Sequence, residues 1–198
     1  MSNGKAYLIG AGYSKKGKFP FVDELNLKSL KKSRLYESTL TDKLENISDA
    51  LNMKKGEIIV RIESKNEYPN YYIRNIKKRN SLSPLTQFEN PYKSIQNVHK
   101  EVIKYKRDDG LELSAVLYLP TDYEEGKKYP MVMWAYPREY KDKSSAGQST
   151  SNSNEFTYPY YGSMVYWVTR GYVVLDDASF PIVGEGDEQP NDTFIPQL

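Results

Sequence analysis

The sequence predicts an α/β fold with a β-rich N-terminal part, and three observations lead there. Short strand-like runs punctuated by turns fill residues 1–95. Further on, an unbroken apolar run at residues 129–137 (YPMVMWAYP), a helix-spaced segment, and a second apolar run at residues 171–179 (GYVVLDDAS) follow one another. The charge divides as well: residues 1–107 carry 22 Lys and Arg against 11 Asp and Glu, net +11, whereas residues 108–198 carry 6 against 15, net −9.

In the first half, KAYLIGAGY and FPFVDELNL read as strands on either side of the turn-like SKKGK, and GEIIVRIES pairs with NYYIRNI around KNEYPN. Alternation at Glu57, Ile58, Ile59, Val60, Arg61, Ile62 and Glu63 supports a strand. This hairpin rhythm suits the blades of a β-propeller, although two hairpins do not close a ring, so a small sheet and the tail of a larger propeller both stand. Residues 42–53 (DKLENISDALNM) fit a short helix or a loop, and the pattern does not choose between them.

The pattern changes after residue 83. SPLTQFENPY is dense in turn residues, with Pro84 and Pro91 barring a helix. QNVHKEVIKYKRDDGLELSAVLYLP reads as a hairpin: Val102 and Tyr105, then Leu113, Ala115, Leu117 and Leu119, flank Asp109-Gly110, whose glycine accepts the positive φ of a tight turn. Continuous rather than alternating hydrophobicity in YPMVMWAYP predicts burial on both faces, as in a central strand. A Ser- and Asn-rich loop covers residues 143–154. Met164, Trp167 and Val168 then stand at helical spacing in YYGSMVYWVTR, with Gly171 as the C-terminal cap. Strand, crossover helix and strand predict a doubly wound sheet.

DGLELSAVLYLP, KYPMVMWAYP and RGYVVLDDASFPIVGEGD, in that order, resemble the opening of the catalytic domain of the prolyl oligopeptidase (S9) serine peptidases, in the branch similar to glutamyl endopeptidases. LTQFENPY resembles the exit from the propeller that precedes that domain. The resemblance implies the last strands of a β-propeller over residues 1–95, joined to the start of an α/β-hydrolase domain over residues 96–198. It also implies peptide-bond hydrolysis through a serine, with a triad in the chain order Ser, Asp, His. The implied chain stops before the catalytic serine and is inactive alone.

The residues agree with that expectation. A nucleophile elbow, G-x-S-x-G, exposes a serine on a strained strand-to-helix turn. The nearest imitation, Gly12-Tyr13-Ser14-Lys15-Lys16-Gly17, has its second glycine one residue late and no buried strand before it. His99 is the single histidine and precedes the hydrolase-like hairpin, the wrong place for a last triad member. The resemblance does place one donor: a tyrosine just after the buried strand stabilises the oxyanion in this family, and Tyr136 holds that position. The competing reading makes Tyr136 one of 18 tyrosines with a partly wet hydroxyl. Arg138 is a candidate to grip an acidic substrate side chain bidentately, against a surface salt bridge. Glu185, Asp187, Glu188 and Asp192 lack the alternating spacing of a calcium loop and read as a turn shaping the cleft. GEGD lacks the third glycine of a dinucleotide fingerprint, so neither a metal nor a cofactor is expected.

Composition bounds the remainder. With 198 residues, 38% hydrophobic and 13% aromatic, there is material for a core. No apolar stretch reaches the roughly 18 residues of a membrane helix, and residues 1–10 lack the pattern of a signal peptide, so no membrane partner is expected. Without cysteine there is no disulfide, and the compartment stays open. The lysines of LKSLKKSR, NMKKGE and NIKKRN are scattered over turns rather than gathered in a stripe, which argues against nucleic acid. The expected partners are a peptide substrate in the parent family and, for the chain itself, a second copy or a complementing C-terminal polypeptide. The alternative function is a noncatalytic peptide- or protein-interaction module.

Overall fold

The computed structural model describes residues 4–14, 16–78 and 80–197; Lys15 of the SKKGK turn, Arg79 of NIKKRN, residues 1–3 and Leu198 lie outside the described residues. Most of the ordered backbone is β-strand, with few and short helices. The chain divides into two compact units, residues 1–91 with 154–157, and residues 92–153 with 158–198.

In the first unit, β1 (Lys5–Gly10), β4 (Phe21–Asn26) and β5 (Lys32–Glu37) form an antiparallel sheet in the order β1-β4-β5. The two-residue strands β2 (Tyr13–Ser14) and β3 (Gly17–Lys18) make a small ribbon between β1 and β4. A second sheet is a four-stranded antiparallel meander of β6 (Leu44–Asn52), β7 (Glu57–Glu63), β8 (Asn70–Asn75) and β9 (Ser81–Pro84). Alternation explains the packing. Ile58, Val60 and Ile62 of β7 turn one way and join Val22 of β4 and Tyr36 of β5 in a single buried cluster. Residues 42–53, compatible with helix or loop by pattern, supply β6. Pairing with β7 settles their conformation, at the cost of two register irregularities between Ile47 and Asn52.

This core also encloses charge. Glu45 is fully enclosed and accepts from the Tyr36 hydroxyl at 2.6 Å and from Arg74 Nη2 at 2.5 Å, while Arg74 Nη1 donates to the Asn80 carbonyl at 2.9 Å. Burial and the Glu45 carboxylate together push the Tyr36 hydroxyl well above its usual range, so it remains a donor. Asp23, buried on β4, is bound by Arg34 and by Lys32 at 3.3 Å, and the Arg34 guanidinium holds its carboxyl below the usual range. Glu63 ends β7 fully buried. It accepts from Arg61 Nη2 at 2.5 Å, from Asn46 Nδ2 at 3.3 Å and from the Phe156 N–H at 3.3 Å, which anchors residues 154–157 in this unit.

The second unit is built on a mixed sheet in the order β10-β11-β13-β12. β10 (Lys100–Lys106) and β11 (Glu112–Tyr118) form the hairpin across Asp109-Gly110, and β11 pairs antiparallel with β13 (Val173–Val183). β12 (Met131–Tyr140) runs parallel to β13. The connection between them carries the four-residue helix α1 (Lys143–Ala146), whose first turn is capped by Asp142 accepting from the Ser145 N–H at 2.7 Å. The helix expected over residues 160–170 is a 3₁₀ segment, Met164–Arg170. Val165, Tyr166, Trp167, Val168 and Thr169 are β-branched or aromatic residues with weak helical preference, and the backbone tightens accordingly. Gly171 closes it at φ 79°, as a C-terminal cap requires. One sheet face is covered by Ile95, Val98, Val165 and Val168 packed on Val116, Tyr118 and Val174; Ala146 of α1 packs with Leu111 and Val183.

The expected double burial of YPMVMWAYP is not met. Among the described residues β12 has one strand neighbour, and Met131 and Met133 are 57% and 61% exposed. A strand paired along one edge leaves half its backbone polar groups towards solvent, and the exposure of Met131 and Met133 shows that the face they share is not covered.

Removing one member of the buried Glu45–Arg74 pair leaves the other uncompensated. Arg74→Met is expected to destabilise by about 3–5 kcal/mol in a urea titration, and a loss below about 1 kcal/mol would show that the pair is not desolvated in solution.

Candidate functional site

Tyr136 and Arg138 lie two residues apart on β12, so they share one face of the strand, with Tyr140 next in the row. Opposite them runs β13, and the pairing is not uniform. Met133 faces Leu175, but Ala135 faces Ala178: Trp134 alone on β12 spans Asp176 and Asp177 on β13. This is a β-bulge, and it is made by Asp177 in a left-handed conformation, φ 46°. Backbone pairing of β13 with β11 ends at Asp176. Beyond it, the Ser179 hydroxyl accepts from the Ser114 N–H at 3.3 Å, so a side chain continues what the ladder no longer supplies.

The divergence leaves a shallow cleft lined by Tyr136, Arg138 and Tyr140 on one side, Asp177 and Ser179 on the other, and Gln148 from the loop after α1. It is open to solvent, and its deepest part holds about 30 Å³. Arg138 Nη2 donates to Asp177 Oδ1 at 2.8 Å, with the two side chains 60% and 53% exposed. Arg138 thus stands in the surface salt bridge that one of its two sequence readings expected, and it also lines the cleft. Tyr136 is 70% exposed and its register partner is Ser179. It lies within the parallel pair rather than just after the strand, since the pairing runs on to Tyr140 and Val183.

Asp176 and Asp177 were not singled out by sequence reasoning, although two adjacent carboxylates interrupting an apolar strand are a legible signal. Burial raises the Asp176 carboxyl above its usual range, and the nearby Asp177 charge adds to that; the Asp177 N–H and Lys100 act in the opposite sense.

The other candidates lie apart from the cleft. Ser14 donates to the Gly17 carbonyl at 3.0 Å in the exposed β2–β3 ribbon. His99 is half exposed, with Nε2 3.5 Å from Glu101, and no described serine hydroxyl is hydrogen-bonded to it. Glu185, Asp187, Glu188 and Asp192 occupy exposed turns, with Asp192 accepting from the Gln189 N–H at 3.2 Å. They do not line the cleft. Gly184 permits this turn: a Cβ there would stand 2.6 Å from the Glu188 carbonyl oxygen. Among the described residues, no group of three or more His, Asp or Glu side chains is arranged to hold a metal ion, and no helix is long and apolar enough to cross a membrane.

The chain is 34% identical to a probable chloroplastic glutamyl endopeptidase of Oryza sativa subsp. japonica and 35% identical to one of Arabidopsis thaliana, each over 96% of its length. This chain is similar to S9-family peptidases of the glutamyl endopeptidase branch. It spans about a fifth of the curated relatives' length, 21% of each. The fold agrees: dipeptidyl peptidase 4 of Porphyromonas gingivalis matches 90% of this chain, using 24% of its own, with a TM-score of 0.57 at 18% identity. No protein-family model matches the chain.

Arg107 tethers β13, one of the strands that line the cleft. Arg107 grips Asp109 through two bonds, Nε at 3.0 Å and Nη2 at 2.9 Å, and donates through Nη1 to the Pro181 carbonyl at 2.8 Å; Pro181 is the register partner of Arg138. Arg107 lowers the Asp109 carboxyl to about 2. A carboxylate depressed in the folded state stabilises it above the unfolded pKa of about 3.9, and that stability is lost as pH falls through the folded value. Asp109→Asn is therefore expected to cost about 1 kcal/mol at pH 7 and almost nothing near pH 2. Denaturation at a series of pH values checks this, and a pH-independent difference would contradict it.

Proposed function

We propose that this chain forms part of a serine peptidase that cleaves after acidic residues, contributing Tyr136 as an oxyanion donor and Arg138 as a reader of the acidic side chain. The observation that carries the reading is the alignment of nearly the whole chain with two probable glutamyl endopeptidases, together with the placement of both residues on one face of β12. In this reading the meander β6–β9 is a propeller blade, since blades are four-stranded antiparallel sheets. The parallel β12–β13 pair with an antiparallel hairpin at its side begins an α/β-hydrolase sheet, as mixed sheets of doubly wound folds do. The attacking serine and its base belong to polypeptide that completes the sheet beyond β12, and the chain by itself is inactive.

The test is a hybrid in which this chain replaces the aligned fifth of the rice relative. It is expected to hydrolyse a fluorogenic glutamyl peptide, and Tyr136→Phe is expected to lower kcat by about 10²–10³ with KM little changed. An unchanged kcat would remove Tyr136 from the mechanism. Turnover by the unextended chain, blocked by a serine-reactive phosphonate, would overturn its assignment as inactive alone.

A second reading, a noncatalytic interaction module, is favoured by the same edge of β12. Ten residues of open strand bearing exposed Met131, Met133 and Trp134 form a template for strand addition. The chain alone is expected to self-associate through this edge, and Met133→Lys is expected to shift it towards monomer in sedimentation velocity. A strictly monomeric wild-type chain at all concentrations would contradict this.

A further inference from the structure

Asp177 is the strained residue of the cleft. A non-glycine residue at φ 46° is costly unless its surroundings fix it, and such outliers gather where geometry serves a site. Asp tolerates that conformation better than most residues. Three features coincide at this position: the bulge that ends pairing with β11, the left-handed backbone, and the 2.8 Å bond from Arg138 Nη2 to Asp177 Oδ1. The bond uses one N–H of the guanidinium. An arginine side chain offers about five, in a planar fork, so an edge remains for a second carboxylate once the first has set the plane. Without that bond Arg138, 60% exposed on an outer strand, has its full rotamer freedom.

We infer that Asp177 is a positioning residue, which the bulge holds in place to orient the Arg138 guanidinium so that its remaining N–H edge receives a glutamate side chain. The inference rests on the proposed reading of Arg138 as the acidic-side-chain reader. The role is one of orientation rather than charge. The Asp177 carboxylate repels an incoming anion, so its benefit must come from holding the fork flat, and a neutral acceptor of the same shape should serve.

That separates the inference from both a structural role and the parent reading. The chain is titrated with N-acetyl-glutamate amide and N-acetyl-glutamine amide, following the Arg138 Nε–Hε resonance by NMR. The wild type is expected to prefer the glutamate ligand, and Arg138→Gln to abolish the preference. Asp177→Gly relieves the positive φ, so its melting temperature should equal or exceed wild type while the preference falls about tenfold. Asp177→Asn keeps an acceptor oxygen and tolerates the same backbone, and it should hold the preference within about twofold. Retention of the preference by Asp177→Gly overturns the positioning role and leaves the reading of Arg138 standing. Equal loss in both Asp177 variants overturns the inference that an acceptor of this shape is what orients Arg138. A wild type with no preference sinks the glutamyl reading itself, and the inference with it.

Discussion

The cleft depends on how β12 and β13 pair, and the decisive detail is one extra residue. Parallel strands joined by a crossover bring residues distant in sequence to a common end, but a regular register would carry the alternation of Val173 to Leu175 straight through Ala178. The bulge at Asp176–Asp177 resets it, so that Ala135 meets Ala178 and Tyr136 meets Ser179. From that point the ladder to β11 is replaced by the Ser179 hydroxyl on the Ser114 N–H. Arg107 fixes the strand again at Pro181. The cleft thus lies between two tethers of β13, with Tyr136 and Arg138 facing it from β12.

The first unit solves a different problem. Its sheets meet through an apolar cluster, yet Glu45, Glu63, Asp23 and Arg74 are buried around that cluster. Ionised groups withdrawn from water stabilise little by themselves and penalise any arrangement that leaves them unpaired. The Tyr36–Glu45–Arg74 network ties β5, β6 and β8 together, and slipping any of these strands by one residue would strand a charge in the core. Glu63 does the same for residues 154–157 through the Phe156 N–H. Buried pairing therefore constrains register where hydrophobic contact alone would tolerate alternatives.

Local pattern made part of this legible. The β10–β11 hairpin follows from alternation across Asp109-Gly110, and Gly171 announces the end of the 3₁₀ segment, because both depend on residues close in sequence. The strand β6 was not legible: polar spacing in DKLENISDALNM is compatible with a helix, and only pairing with β7 selects extension. At the site, the shared face of Tyr136 and Arg138 follows from a period of two. The Arg138–Asp177 contact spans 39 residues and exists only once the crossover has closed, so no window of sequence contains it. Asp176 and Asp177 did carry a signal, since paired carboxylates inside an apolar strand require a local departure from regular structure.

The reset register is the claim from which the positions of Tyr136, Arg138 and Asp177 all follow. Cross-strand nuclear Overhauser effects between β12 and β13 in the isotopically labelled chain measure it directly. Contacts pairing Met133 with Leu175 and Ala135 with Ala178 are the expected result. Contacts pairing Ala135 with Asp177, in an uninterrupted ladder, would contradict it and would remove the structural basis of the cleft.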